Sequence, residues 1–311
     1  MRHMKVTLIY NPTAGDDSRP TAGQLAALIE EAGYDVRAQS TDEKGWSKAL
    51  KKKAGLVAVA GGDGTVGKVA RRLIGSKCPI AVLPLGTANN ISRSLGIHEQ
   101  PLWQLIRGWK HAKERGFDAG IASGPWGRRY FIEGVGLGLL AQTMPRIDES
   151  KTMESLPMGE ARVAYALQHL RDTLEKSRPM KVKAAVDGKD ISGQYLLFEA
   201  MNKRFIGPNL FLAPHTDPAD GMFDIVFVGE KDRKKLARYL AKWQEGQPWP
   251  SDLGVGRGKH LKIEWTGYPV HLDDKIWPED GDRPKSPDTI EIELQRKALK
   301  FLIPREVAEK K

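Results

Sequence analysis

Val57-Ala58-Val59-Ala60-Gly61-Gly62-Asp63-Gly64-Thr65 decides the fold. Four small apolar residues in a row, with Leu56 before them, suit a strand buried on both faces. The run breaks at two glycines, a carboxylate and a third glycine, and an apolar helical pattern follows over about Val66 to Ile74. Glycines there let backbone N–H groups approach phosphate oxygens, and a helix N-terminus adds partial positive charge. Asp63 is placed to hold a magnesium ion against such phosphates, directly or through water. A plain strand-to-helix turn also favours Asp-Gly, so this stretch alone leaves both readings open.

The neighbouring sequence changes the balance. Val6 to Tyr10 is a strand ending at Asn11-Pro12, and Leu25, Leu28, Ile29 and Ala32 form a helical stripe that Gly33 closes. Val36 to Ser40 is the next strand, followed by Thr41. Pro79 to Leu83 is another buried strand, and Pro84-Leu85-Gly86-Thr87-Ala88-Asn89-Asn90 leads into a helix near Ala88 to Leu95. Short apolar strands separated by helices predict a parallel α/β sheet. Four strand ends, at Asn11 to Gly15, Thr41, Gly61 to Thr65 and Gly86 to Asn89, then converge on one polar crevice, where open α/β sheets bind ligands. Asn89 either bonds a ribose or phosphate there or caps its helix. None of these loops is the Walker-type phosphate loop or the Gly-x-Gly-x-x-Gly dinucleotide fingerprint.

From about residue 118 the pattern becomes β-rich. Lys181 to Val186, Asp187-Gly188 and Ile191 with Tyr195 to Phe198 read as a hairpin. Leu261, Ile263 and Trp265, then Val270 and Leu272, then Ile290, Ile292 and Leu294 alternate with polar residues, as does Leu299 to Ile303, which predicts half-buried strands. Phe223 to Val228 is a further strand, and helices are expected over about Gly159 to Lys176 and Lys231 to Gln244. The chain of 311 residues fits two domains, and its single cysteine, Cys78, excludes an internal disulfide and a thiolate metal site. No signal peptide or membrane-spanning run is visible, so a cytoplasmic protein is expected. The 49 Lys and Arg against 39 Asp and Glu give a net charge of +10. No basic stripe is interleaved with aromatics, which speaks against nucleic acid.

At these residues the sequence resembles the diacylglycerol-kinase catalytic family, which includes bacterial lipid kinases and the ceramide and sphingosine kinases. The resemblance rests on Asn11-Pro12 with Gly15, on Gly61 to Thr65, and on Pro84 to Asn89 with Ser92 to Ile97. It extends through Asn202, Ala213-Pro214, Ala219 to Asp224 and the strands from Ile290 to Pro304. It implies a three-layer α/β nucleotide-binding domain like those of NAD kinases and phosphofructokinases, over residues 1–117 and 296–311. A β-sandwich substrate domain over 118–295 is implied beside it. It further implies transfer of the γ-phosphoryl group of ATP to a hydroxyl of diacylglycerol or a related lipid. ATP would lie on Asn11, Thr41, Gly61, Gly62, Asp63, Gly64, Thr65, Gly86, Thr87 and Asn89. A structural magnesium would sit on the Asp220 carboxylate and the Asp217 and Met222 carbonyls.

Two departures stand out. The family's Asp-Gly-Glu, whose acids are thought to deprotonate the acceptor hydroxyl, aligns with Asp273-Asp274-Lys275. Asp273 is then the general-base candidate, with Asp274, Glu279 or Asp280 as substitutes for the missing Glu. Within Gly134 to Ala141, relatives often carry an Asp where this chain has Leu140. A catalytically weak nucleotide- or lipid-binding regulator therefore stands beside the kinase reading. An NAD kinase-like enzyme does so less well, because that family's Asn-Glu pair and Pro-Thr-Gly-Ser-Thr segment are missing. Asp63→Ala is expected to abolish phosphoryl transfer and leave the fold intact. The basic stretch Arg233, Lys235, Arg238 and Lys242, with Trp243 and Trp249, is either a solvated helix face or a peripheral contact with an anionic inner-membrane surface. A homodimer is left open.

Overall fold

A computed structural model describes residues 4–16, 18–52, 54–157, 159–247, 249–279 and 287–304. The chain divides into two compact units: residues up to Phe117 together with those from Lys297 onward, and Asp118 to Arg296.

The first unit opens with β1 (Lys5–Tyr10), α1 (Ala22–Glu31), β2 (Asp35–Ser40), β3 (Leu56–Gly61) and α2 (Asp63–Leu73). It continues with β4 (Ile80–Pro84), α3 (Asn90–Leu95), α4 (Leu102–Gly108) and the start of β5 (Lys113–Gly124). The strands pair in parallel in the order β2-β1-β3-β4, with β1 between β2 and β3 and β3 beside β4. Every residue of β3 is buried, as its unbroken apolar sequence requires. Thr21 starts α1 through a capping box: its hydroxyl accepts the Gln24 N–H while Gln24 Oε1 accepts the Thr21 N–H at 2.8 Å. Leu25 and Ile29 face inward from that helix.

The second unit is antiparallel. It holds β6 (Gly127–Phe131), β7 (Gly134–Gly138), α5 (Leu139–Asp148), α6 (Lys151–Ser155), α7 (Glu160–Lys176), β8 (Met180–Val186) and β9 (Lys189–Asp190). Next come β10 (Gly193–Met201), β11 (Phe223–Gly229), α8 (Arg233–Gln244), β12 (Val255–Gly258), β13 (His260–Trp265), β14 (Val270–Leu272) and β15 (Lys275–Trp277). The long β16 (Asp288–Ile303) gives its first half to this unit, paired with β13, and its last residues to the first, where Phe301 is in parallel register with Ile80 of β4. The expected hairpin is present, with both turn residues, Asp187 and Gly188, at positive φ between β8 and β9.

Phe131, Phe198, Phe223, Ile263, Trp265 and Ile290 fill the core of the β-sandwich. Burying each such aromatic contributes about 1.5–3 kcal/mol. The outer face of β10 and β11 is covered in turn: Leu196, Met201, Val226 and Val228 pack with Leu167 and Leu170 of α7 and Leu236 and Leu240 of α8. Two expected alternations fail for this kind of reason. Leu299 to Ile303 is almost wholly buried, because it runs beside β4 in a parallel sheet rather than at a half-exposed surface. His271, expected to point outward between Val270 and Leu272, is buried.

Candidate functional site

Parallel register sets the first site. Tyr10 pairs with both Ser40 and Ala60, and Gly61 with Pro84, so Asn11, Thr41, Gly62 and Leu85 all follow strand ends at one edge of the sheet. Backbone bonds tie these ends together: Asn11 N–H donates to Ala60 O at 3.0 Å, Thr41 N–H to Tyr10 O at 2.9 Å, and Leu85 N–H to Gly61 O at 3.1 Å. The two glycine loops touch. A Cβ on Gly62 would lie 3.0 Å from the Gly86 Cα, a tight fit, and one on Gly86 would overlap the Gly62 Cα, so the second position admits no side chain without a backbone shift.

Helix α2 begins at Asp63, three residues earlier than its apolar pattern suggests, so the glycine loop is the first turn of the helix. Thr65 N–H is therefore already spent on Gly62 O at 3.0 Å, as is Val66 N–H, so a ligand at this end of α2 would meet the amides before them. Thr65 takes part through its hydroxyl, which accepts Asn11 Nδ2–H at 2.9 Å. Asn89 is left-handed (φ 53°) and clasps its own loop, accepting the Gly86 N–H at 2.9 Å and donating to Gly86 O at 2.7 Å. It makes no side-chain cap on α3. Thr87 is half-buried in the same loop.

The cap on α3 comes from Asp63. Its Oδ2 accepts the Asn90 N–H and its Oδ1 the Ile91 N–H, each at 2.7 Å. The Asp63 carboxylate thus joins two segments of the fold, so Asp63→Ala removes a structural contact as well as a ligand group. Two arginines to which sequence reasoning gave no role also shape the site. Arg19 ties the first loop by donating to Pro12 O, to Ala14 O at 2.6 Å and to Gly15 O at 3.1 Å. Half-buried Arg93 donates to Ala88 O at 3.1 Å; burial pulls its pKa down, against the attraction of Glu99 and Asp63. Both arginines act on main-chain carbonyls, which no spacing rule reveals.

In the second unit, Asp273 sits at positive φ (51°) in the turn between β14 and β15. Its carboxylate accepts the N–H groups of Ile132 at 3.0 Å and Glu133 at 2.8 Å. Asp274 and Lys275 beside it are exposed, as is Glu279, while Asp280 lies outside the described residues. His271 Nε2 meets Glu199 Oε2 at 2.6 Å, with both side chains buried, and Nδ1 lies 3.3 Å from Asp273 O. Gly136 opposite leaves room for Glu199, since any Cβ there would overlap the carboxylate. Burial pushes Glu199 up, with His271 pulling it back. For His271 burial opposes the charge most, but Glu199 together with Asp273 outweighs it and the net direction is upward. A second buried pair joins Lys203 to Glu133, whose N–H Asp273 accepts.

Residues 5–120 match the family model of the diacylglycerol kinase catalytic domain. Residues 135–294, a little over half of the chain, match that of the YegS C-terminal NAD kinase beta sandwich-like domain. The chain belongs to the diacylglycerol kinase catalytic-domain family, with a YegS-like C-terminal domain. It is similar to the diacylglycerol kinase of Bacillus subtilis, at 29% identity over 78% of this chain and 80% of that one. The diacylglycerol kinase of Mycobacterium tuberculosis is 27% identical over 97% and 96%. A crystal structure of a diacylglycerol kinase from Bacillus anthracis shares the fold, with a TM-score of 0.73 at 21% identity over 99% of both chains. Yeast NADH kinase, in complex with NADH, shares it more distantly, with a TM-score of 0.51 at 10% identity over 97% and 83%.

Against this diacylglycerol kinase family pattern, the two departures have structural settings. Leu140 is 4% exposed in the apolar cluster with Leu167 and Leu170, so that position presents no polar group. Lys275 is exposed at the strand start of β15. At the implied metal loop, Arg257 donates to Asp220 Oδ2. No described helix is long and apolar enough to cross a membrane.

Proposed function

We propose that this protein is an ATP-dependent lipid kinase that transfers the γ-phosphoryl group to a hydroxyl of diacylglycerol or a related lipid alcohol. The observation that carries the reading is the Gly62–Gly86 contact at the N-terminus of α2, where the first-turn amides and the helix dipole lie beyond four strand ends. ATP would bring its magnesium ion, and Asp63, each of whose oxygens accepts one N–H group, would hold that ion directly or through water. Catalysis is then mostly positioning and charge neutralisation. Asp273 is the base this reading uses, and its carboxylate already accepts the N–H groups of Ile132 and Glu133.

Membrane contact belongs to the same reading. Arg238 and Lys242 are exposed on α8, Lys235 is beside them, and Trp249 is 70% exposed. With Tyr239 and Trp243 they line a concavity of about 380 Å³. A cationic ridge with an exposed indole suits the headgroup region of an anionic bilayer, and the protein would work at the cytoplasmic membrane face. Co-sedimentation that ignores anionic lipid content would count against this surface.

The deciding experiment measures ATP consumption with magnesium across hydroxyl-bearing lipids in mixed micelles, with NAD as control. Turnover with one lipid class supports the kinase and names its acceptor. Nucleotide binding without turnover supports the regulator, a reading favoured by Lys275, Leu140 and the engaged carboxylate of Asp273. Turnover of NAD alone would overturn the lipid assignment.

A further inference from the structure

The loop Asp217–Met222 is where the family resemblance implies a structural magnesium, yet its charge is already met from within the chain. Arg257 on β12 stands opposite Asp224 of β11 in register. It donates through Nη2 to Asp220 Oδ2, and its Nε lies 3.4 Å from Asp224 Oδ1. The other Asp220 oxygen accepts the Met222 N–H at 2.9 Å. The Asp217 carbonyl, a ligand in the implied metal site, accepts the Asp220 N–H at 3.3 Å. A second guanidinium is near, because a Cβ on Gly221 would lie 2.7 Å from Arg296 Nε. The loop is anchored from below as well: Gly221 N–H donates to Oδ2 of the fully buried Asp118 at 2.7 Å.

A magnesium ion demands near-octahedral oxygens and gives up its waters reluctantly. Here its one side-chain ligand is bonded to a guanidinium, which offers only donors and repels a cation. A planar fork that reaches Asp220 and Asp224 together does what an ion would do, drawing the loop onto the strand that follows it. We propose that Arg257 replaces the metal, so that this chain closes the loop with an internal guanidinium and holds it without a divalent ion. This concerns the second unit by itself and stands whether or not the lipid kinase reading holds.

The test uses the whole protein without nucleotide. Metal content after exchange into metal-free buffer is measured first, then the melting temperature and hydrogen exchange over residues 215–225, in EDTA and in magnesium. The wild type should carry no stoichiometric divalent ion and show the same exchange in both conditions. Arg257→Ala should exchange faster in that segment and melt a few degrees lower in EDTA, with magnesium recovering part of the loss at the vacated carboxylates. Arg257→Lys, which keeps the charge, should fall between and covers the case in which the alanine variant does not fold. One bound ion per wild-type chain, slower wild-type exchange in magnesium, unchanged exchange in both variants, or no recovery of Arg257→Ala by magnesium would each overturn the proposal.

Discussion

Asp63 Oδ1 accepts the backbone N–H of Ile91 at 2.7 Å, across 28 residues of sequence, while Oδ2 accepts that of Asn90. The carboxylate that begins α2 therefore caps α3, and the two glycine loops are fastened to each other by it. An acid in the most recognisable motif of the chain has a structural duty alongside any duty toward a nucleotide.

Replacing Asp63 by alanine should cost stability as well as activity. Two partly buried N–H groups would lose their acceptor, a loss of about 1–3 kcal/mol. Asp63→Asn keeps one acceptor oxygen and should lose less stability while losing phosphoryl transfer to a similar degree. Thermal melts beside ATP turnover separate the two duties; equal melting temperatures for wild type and Asp63→Ala would remove the structural one.

Asn89 gives a backbone test. Its left-handed conformation costs an alanine about 1–3 kcal/mol and a glycine much less, yet both substitutions delete the bonds to Gly86. Asn89→Gly should hence melt closer to the wild type than Asn89→Ala, with nucleotide binding weakened in both. Isothermal titration with ATP and a melt of each variant decide this.

Gly86→Ala should be worse than either. Its methyl group would overlap the Gly62 Cα, where the neighbour is backbone and cannot swing away. Overpacking of this sort costs about 1–3 kcal/mol, and it would spread the amides of α2 from the second loop. Binding of ATP should fall further than stability does.

The Glu199–His271 pair makes the second unit pH-sensitive. Both folded pKa values are raised, so both groups favour the protonated side. A raised imidazole stabilises fully below its unfolded value of about 6.5 and loses that contribution as pH rises through the folded value. Glu199 acts with the same sign. Compared with a Glu199→Gln/His271→Gln variant, the wild type should lose stability as the solution becomes alkaline. Melting temperatures of both proteins from mildly acidic to alkaline pH measure it, and parallel curves would refute this linkage.

What sequence revealed and what it hid divide along physical lines. Val57 to Thr65 and Pro84 to Asn89 announce themselves because a doubly buried strand and a glycine turn each leave a local mark. The pairing of His271 with Glu199 leaves none: the partners are 72 residues apart, and alternation predicted that His271 would face solvent. Arg257 was equally silent, since nothing in Val255 to Gly258 says which carboxylate it reaches. The start of α2 was misplaced because glycines argue against a helix even where a ligand-binding first turn needs them. Asp273 looked like a free acid for want of any sign that Ile132 and Glu133 would donate to it.

The strand β16 has a consequence for biosynthesis. On the ribosome, β1 to β4 emerge first, but the residues that lie alongside β4, around Phe301, are made only after all of the second unit. Until then β4 offers an unpaired edge, a ready template for stray pairing with another nascent chain. The inserted unit must consequently fold while its host is still waiting for its last strand. A protein halted before Lys297, which still carries 296 of the 311 residues, should accumulate as aggregate rather than as a nucleotide-competent protein.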